Sequence, residues 1–246
     1  MKRQINLKNT KNILYILGII VLLVIVFNFS YYAIVTYLHI NNGNNLVKHT
    51  KIFQQSKGNG PNILVLGDSL AYGVGTSSPE QSFAGQIGAR YNESNIVNKA
   101  RVGETTGSLL SSLDELANGS YEKVFLIIAG NDIAHYSIDI ADSQRNLELI
   151  SAKLALKTKK LYLYTPISFD KVGATPYFFD NFYVPRSEKI RSVALSMVKK
   201  FPNIKYIDTD QVSSKEYENY QASDGFHLND KGVKALIAIT FSNNND

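Results

Sequence analysis

Ser69, Asn131, Asp224 and His227 are the side chains of this sequence whose types and neighbours could do covalent chemistry together. Ser69 stands in Gly67-Asp68-Ser69-Leu70, directly after the apolar run Ile63-Leu64-Val65-Leu66, and Asn131 stands in Gly130-Asn131-Asp132 after Lys123–Ala129. A serine is a poor nucleophile until a base takes its proton. A histidine does so when a carboxylate fixes its tautomer and stabilises the imidazolium. Asp224 and His227, in Ser223-Asp224-Gly225-Phe226-His227, can lie on one turn with the carboxylate against the ring nitrogen that faces away from the serine. His135, with Asp132 nearby, is the alternative base; His39 and His49 fall in the N-terminal region. The tetrahedral intermediate of acyl transfer needs donors aimed at its oxygen. The backbone N–H of Ser69, the N–H of Gly103 in Ala100-Arg101-Val102-Gly103 and the Asn131 amide could supply them, Gly103 because a residue without Cβ lets backbone approach a substrate.

Bringing these residues together requires a sheet. Ile63–Leu66, bounded by Pro61-Asn62 and Gly67, reads as a buried parallel strand, and Lys123–Ala129 as another. Both end in polar breaks, so parallel pairing would deliver Ser69 and Asn131 to one edge, where open α/β sheets bind ligands. Further strands are expected at 95–100, 160–164 and 205–207, with helices at 82–91, 106–116, 142–157, 187–201 and 231–241. Strands alternating with helices predict a three-layer α/β domain with a mostly parallel sheet.

The N-terminus has a different composition. Ile13–Tyr32 supplies the roughly 20 predominantly apolar residues a membrane span needs. The run exceeds the h-region of a signal peptide, and Tyr31–Leu38 offers no small-x-small cleavage site, so an uncleaved anchor is expected. Lys2, Arg3, Lys8 and Lys11 lie just before the span, which places the N-terminus in the cytoplasm and the rest of the chain outside. Asn41–Pro61, rich in Asn, Gly, Gln and Lys, reads as a tether with an end-to-end distance of about 25 Å if it is a flexible coil. The expected organisation is a basic terminus (1–12), a transmembrane helix (13–32), a flexible tether (33–60) and a catalytic domain (61–246).

The charge of +5 does not point to nucleic acid, because from Pro61 onward there are 19 basic residues against 21 acidic ones. The chain contains no cysteine, which removes disulfides, zinc–thiolate sites and a thiol nucleophile. No His-Glu-x-x-His motif or acidic cluster suggests a metal, and no cofactor is expected. Ala71 occupies the last position of what would be a Gly-x-Ser-x-Gly elbow, which disfavours the common α/β-hydrolase arrangement.

Taken in order, Gly67-Asp68-Ser69-Leu70, Asn98 through Gly103, Gly130-Asn131-Asp132 and Asp224–His227 resemble the blocks of the SGNH (GDSL) hydrolase family over Asn62 to about Phe241. The resemblance implies a flavodoxin-like sheet and hydrolysis of esters or thioesters. It also implies Ser69 as nucleophile, His227 as base and Asp224 as its orienter, with Ser69, Gly103 and Asn131 holding the oxyanion. Ala71-Tyr72 stands where many members carry a small polar residue. Tyr72 is therefore an expected pocket residue, together with Tyr177 and Phe178 from the aromatic segment Phe169–Tyr183. The expected substrate is a small-molecule or polysaccharide acyl ester, or a lipid beside the membrane. An O-acyltransferase using the same triad and a non-enzymatic binding module on the same fold are the alternatives.

Overall fold

The computed structural model describes residues 7–174, 179–212 and 217–242. Its body is built on a parallel sheet of five strands in the order β2-β1-β3-β4-β5. These are β1 (Asn62–Gly67), β2 (Asn95–Asn98), β3 (Tyr121–Ile127), β4 (Thr158–Tyr164) and β5 (Ile204–Ile207). Side chains alternate along each strand and both faces are covered, so the apolar runs divide cleanly. Leu64, Leu66, Val124, Leu126, Leu161 and Leu163 face one core, shared with α4 (Thr106–Leu116), α6 (Ile140–Ala155) and α7 (Asp180–Lys200). Ile63, Val65, Phe125, Ile127, Tyr162 and Tyr164 face the other, shared with α3 (Phe83–Arg90), α8 (Tyr217–Tyr220) and α9 (Asp230–Thr240). Gly67, Ile127, Tyr164 and Ile207 stand in one register row. Everything just beyond that row therefore emerges at one edge, and β1 and β3, which diverge in connection, form the switch point there.

Two expectations are corrected. Residues 33–49 are not a coil: α1 runs unbroken from Leu7 to His49. Beyond the apolar stretch, Tyr32, Val35, His39, Asn42, Gly43, Leu46 and Val47 are half-buried at spacings of three and four while their neighbours are exposed. That is one helical face laid along a partner, and packing of this face holds a helix that its Asn- and Gly-rich composition would not. The following residues are a strap along the sheet edge. Gln55 and Ile96 exchange backbone hydrogen bonds of 3.1 and 2.9 Å, and the Gln54 side chain both donates to Asn98 O and accepts from Asn98 N. The strap covers the open side of β2.

The second correction is the start of α7, at Asp180 rather than Ser187, with Pro185 inside it. Proline usually ends a helix; here the Tyr183 ring lies 5.1 Å from that of Phe169, tilted by 32°, a tertiary contact that helps hold the first turn.

α1 also contains the stretch long and apolar enough to cross a membrane, with a mean hydropathy of 2.8 and none of it buried.

Candidate active site

β1 ends at Gly67, whose φ of +137° and proximity to Ile127 O leave no room for a side chain: a Cβ there would lie 1.7 Å from that oxygen. The chain can thus turn sharply, with Asp68 N bonded to Ile127 O, into the short helix α2 (Ser69–Tyr72). Asp68 caps this helix by accepting from Leu70 N at 3.1 Å. Ser69 is left nearly buried at the floor of a cleft.

The turn before α9 supplies its partner. Gly225, at φ +63°, lets the chain double back so that Asp224 Oδ1 accepts from the backbone N–H groups of Phe226 (3.1 Å) and His227 (3.0 Å). Asp224 Oδ2 then lies 2.5 Å from His227 Nδ1, and His227 Nε2 lies 2.8 Å from Ser69 Oγ. A proton on Nδ1 bonded to the carboxylate leaves Nε2 free to accept the serine proton, so the three side chains form one hydrogen-bonded chain. Burial of Asp224 works against its ionisation. The hydrogen bond and charge of His227, with the two backbone N–H groups, outweigh it and hold the carboxyl below its usual 3.8. Asp224 is therefore an anion at neutral pH.

The other histidines are placed elsewhere. His135 is exposed, and Asp132 is committed to the backbone N–H and hydroxyl of Thr106, tying α5 (Gly130–Ala134) to the start of α4. His49 Nδ1 lies 2.8 Å from Asn45 O on α1.

Asn131 lines the cleft with Ser69 and His227. Its turn is set by Ala129, which holds a left-handed φ of +86° between β3 and α5. The Asn131 amide donates to Glu104 O at 2.9 Å, which ties it to the loop carrying Gly103. One amide proton is used in this way and the second remains for a ligand. Gly103 is exposed at φ +77°, and nothing lies within 4 Å of where its Cβ would be. It is not among the residues lining the cleft, whereas Ser69 and Asn131 are. Its loop is anchored beside β1, with Arg101 N bonded to Gly67 O at 3.0 Å.

Of the expected pocket residues, Tyr177 and Phe178 lie outside the described residues. Tyr72 does not line the cleft; it packs, half-buried, against the core that holds Ile63 and Phe83. The wall is made instead by Leu70, Pro166, Ile167, Phe169, Val172 and Phe226. Phe226 stood beside His227 in the sequence, and Phe169 opens the aromatic segment; Pro166 and Ile167 became visible only through the register that puts the end of β4 next to β3. The free volume of the cleft is about 70 Å³. Among the described residues, no group of His, Asp and Glu converges as a metal site.

Asp68 also lines the cleft. Burial raises its carboxyl from 3.8 to about 6, against the lowering effects of the Leu70 N–H, the His227 charge and the Gly130 N–H. An acid whose folded pKa is raised favours the folded state most at low pH and loses that contribution as pH climbs from the unfolded value to the folded one, here between 3.8 and about 6. Replacement by asparagine abolishes this titration. The stability difference between Asp68→Asn and the parent should therefore move in the variant's favour by about 3 kcal/mol between pH 3.5 and pH 7.5. Denaturant unfolding at both pH values checks it, and a constant difference would remove Asp68 as the group responsible.

The chain is similar to known proteins in sequence pattern and in fold. Residues 65–235 match a family model described as the GDSL-like lipase/acylhydrolase family. No curated protein sequence matches the chain. Among solved structures, the acetylxylan esterase Axe2 of Geobacillus stearothermophilus superposes with a TM-score of 0.56 at 18% identity, over 76% of this chain and 95% of that one. A Parabacteroides merdae protein described as a GDSL-like lipase gives 0.60 at 17% identity, over 78% and 97%. LAE5, an alpha/beta hydrolase from the metagenome of Lake Arreo, gives 0.56 at 16% identity, over 74% and 94%. At these identities the likeness is one of fold.

Proposed function

Because the chain belongs to the GDSL-like lipase/acylhydrolase family and is an ester-hydrolysing enzyme, we propose that it is a membrane-anchored serine esterase that removes short acyl groups from carbohydrate outside the cytoplasm. The observation that carries the reading is the continuous hydrogen-bonded chain Asp224–His227–Ser69 opening on an apolar-walled cleft. Ser69 Oγ attacks the ester carbonyl while His227 Nε2 takes its proton; the C–O bond to the alcohol breaks as His227 returns that proton to the leaving oxygen. Water, deprotonated by the same nitrogen, then attacks the acyl-serine and releases the acid. Asp224 orients the ring and stabilises the imidazolium in both halves. The Ser69 N–H and the Asn131 amide receive the oxyanion, and Gly103 joins them if its loop moves inward on substrate.

The size of the cleft supports a short acyl group. With about 70 Å³ of water-accessible space behind Ser69, walled by Leu70, Ile167, Phe169 and Phe226, the cleft accommodates a small acyl group. Axe2, an enzyme of the same fold, is an acetylxylan esterase. A second reading, hydrolysis of lipid acyl chains beside the membrane, is favoured by the aromatic cluster of Phe169, Phe226, Tyr183 and the exposed Phe179, two of which, Phe169 and Phe226, line the cleft. The apolar part of α1 spans the bilayer with its basic end inside.

A chain-length series of p-nitrophenyl esters separates the two readings. Acetyl should be preferred, with turnover falling from about four carbons upward; a preference for eight carbons or more transfers the assignment to lipid. Release of acetate from acetylated xylan, with and without an added sugar acceptor, distinguishes hydrolysis from transfer. Asn131→Ala should lower kcat by about 10²–10³ with little change in KM, since its contact strengthens only as the oxyanion forms. A fall in KM-dependent binding alone would remove Asn131 from the oxyanion site.

A further inference from the structure

The half-buried face of α1 meets the turn that carries the proposed catalytic acid. Asn42 Nδ2 donates to Ser223 O at 2.9 Å. Gly43 presents bare backbone to Asp224, such that a Cβ would lie 3.4 Å from Asp224 Oδ2, the oxygen bonded to His227. The His39 ring packs on Gly225, where a Cβ would lie 2.8 Å from its Cε1. Three successive turn residues, Ser223, Asp224 and Gly225, are thus each met by a residue of one helical face. Just past the end of α1, Thr50 reaches Gly73, the residue that ends α2 behind Ser69; its methyl is 3.9 Å from where a Gly73 Cβ would be.

We propose that His39, Asn42 and Gly43 of α1 are positioning residues for the catalytic acid: the helix that continues from the membrane span clamps the Ser223–Gly225 turn and sets the Asp224–His227 contact. This rests on Asp224 being that acid. The physical reason is the turn's own weakness. It is short, contains a glycine at positive φ, and must hold Asp224 Oδ2 at 2.5 Å from a ring. A rigid helix laid across it removes the freedom that such a turn otherwise has. Gly43 is a poor choice in a helix interior; a Cβ there would already touch Asp224 Oδ2, so a side chain longer than alanine's would run into it.

The test uses the full-length chain in detergent or vesicles. Gly43→Ala places a methyl at ordinary contact distance from Asp224 Oδ2 and should lower kcat far less than a longer side chain does. Gly43→Leu must displace Asp224 or the helix, and should lower kcat by about 10²-fold, less than the loss of the carboxylate itself, with KM nearly unchanged. Its diagnostic is the acid limb of kcat/KM. A carboxylate held away from His227 stabilises the imidazolium less, so the limb should move to lower pH. General destabilisation would lower the active fraction without moving the limb. Asn42→Ala should show the same shift in weaker form, and Asn44→Leu on the exposed face should show none. Unchanged kcat and limb in Gly43→Leu, or loss of activity with an unmoved limb, overturns the proposal. If Asp224→Asn itself leaves kcat intact, the assignment of the acid fails instead, and the two failures are distinguishable.

Discussion

Ser69→Ala should reduce turnover of p-nitrophenyl acetate by about 10⁶-fold, with the folded structure intact. The magnitude follows from what the substitution leaves behind. Without Oγ no acyl-enzyme can form, and His227 faces a methyl group. Binding and the oxyanion donors alone then sustain only about 10³–10⁴-fold catalysis over water. Stability should hardly change, because the Ser69 side chain bonds to His227 and α2 is capped by Asp68, not by the serine. His227→Ala should cost nearly as much, since the two act as one unit and their effects do not add. His135→Ala should leave the rate unchanged, which separates the two histidines directly: His135 is exposed and does not line the cleft. Near-normal hydrolysis by Ser69→Ala would mean that another group does the chemistry.

Asp224→Asn should lower kcat by about 10⁴-fold. The oxygen that accepts from Phe226 N and His227 N can be kept by the amide, so the turn survives. The second oxygen becomes an NH₂ facing His227 Nδ1, which must then accept. That places the ring proton on Nε2, pointing at Ser69, where no base remains. The imidazolium formed during attack also loses its counter-charge. Because the Asp224 carboxyl is held below its usual value, its ionised form contributes stability that is present above the unfolded value of 3.8 and fades as pH falls through the lower folded value. The asparagine variant should lack this acid-side loss. Steady-state kinetics at pH 7.5 and unfolding between pH 2.5 and pH 5 check the two consequences separately. A fall of less than about tenfold in kcat would contradict the role given to Asp224.

The parallel sheet and the serine were legible because local signals agreed. Ile63–Leu66 is apolar on both alternations, as a strand covered on both faces must be, and the polar break at Gly67-Asp68-Ser69 marks its end. The same logic located Asn131 after β3. The pairing of Asp224 with His227 needed only three residues of spacing, a purely local matter. What stayed hidden depends on contacts distant in sequence. His39, Asn42 and Gly43 interrupt the half-buried face of α1 between Val35 and Leu46, so no sustained hydrophobic periodicity announces a packed helix; its partner is a turn more than 170 residues away, as in Asn42 to Ser223. The first turns of α7 were hidden by Pro185, whose local cost is offset in part by the contact of Tyr183 with Phe169. Tyr72 is expected in the pocket because it stands where many family members carry a small polar residue, but the direction of α2 turns it toward the core. Gly103 is expected at the oxyanion site, but it stands at φ +77° in an exposed loop outside the cleft lining, and that loop conformation is not encoded in the local sequence alone.

The central claim is that Ser69 is the activated nucleophile. Treating the full-length chain in membranes with a fluorophosphonate and mapping the adduct by peptide mass spectrometry tests it most directly, because only a serine with an engaged base reacts. A single adduct is expected on the peptide containing Ser69, lost in Ser69→Ala and His227→Ala and retained in His135→Ala. An adduct on a different residue, or labelling that survives His227→Ala at the parent rate, would contradict it.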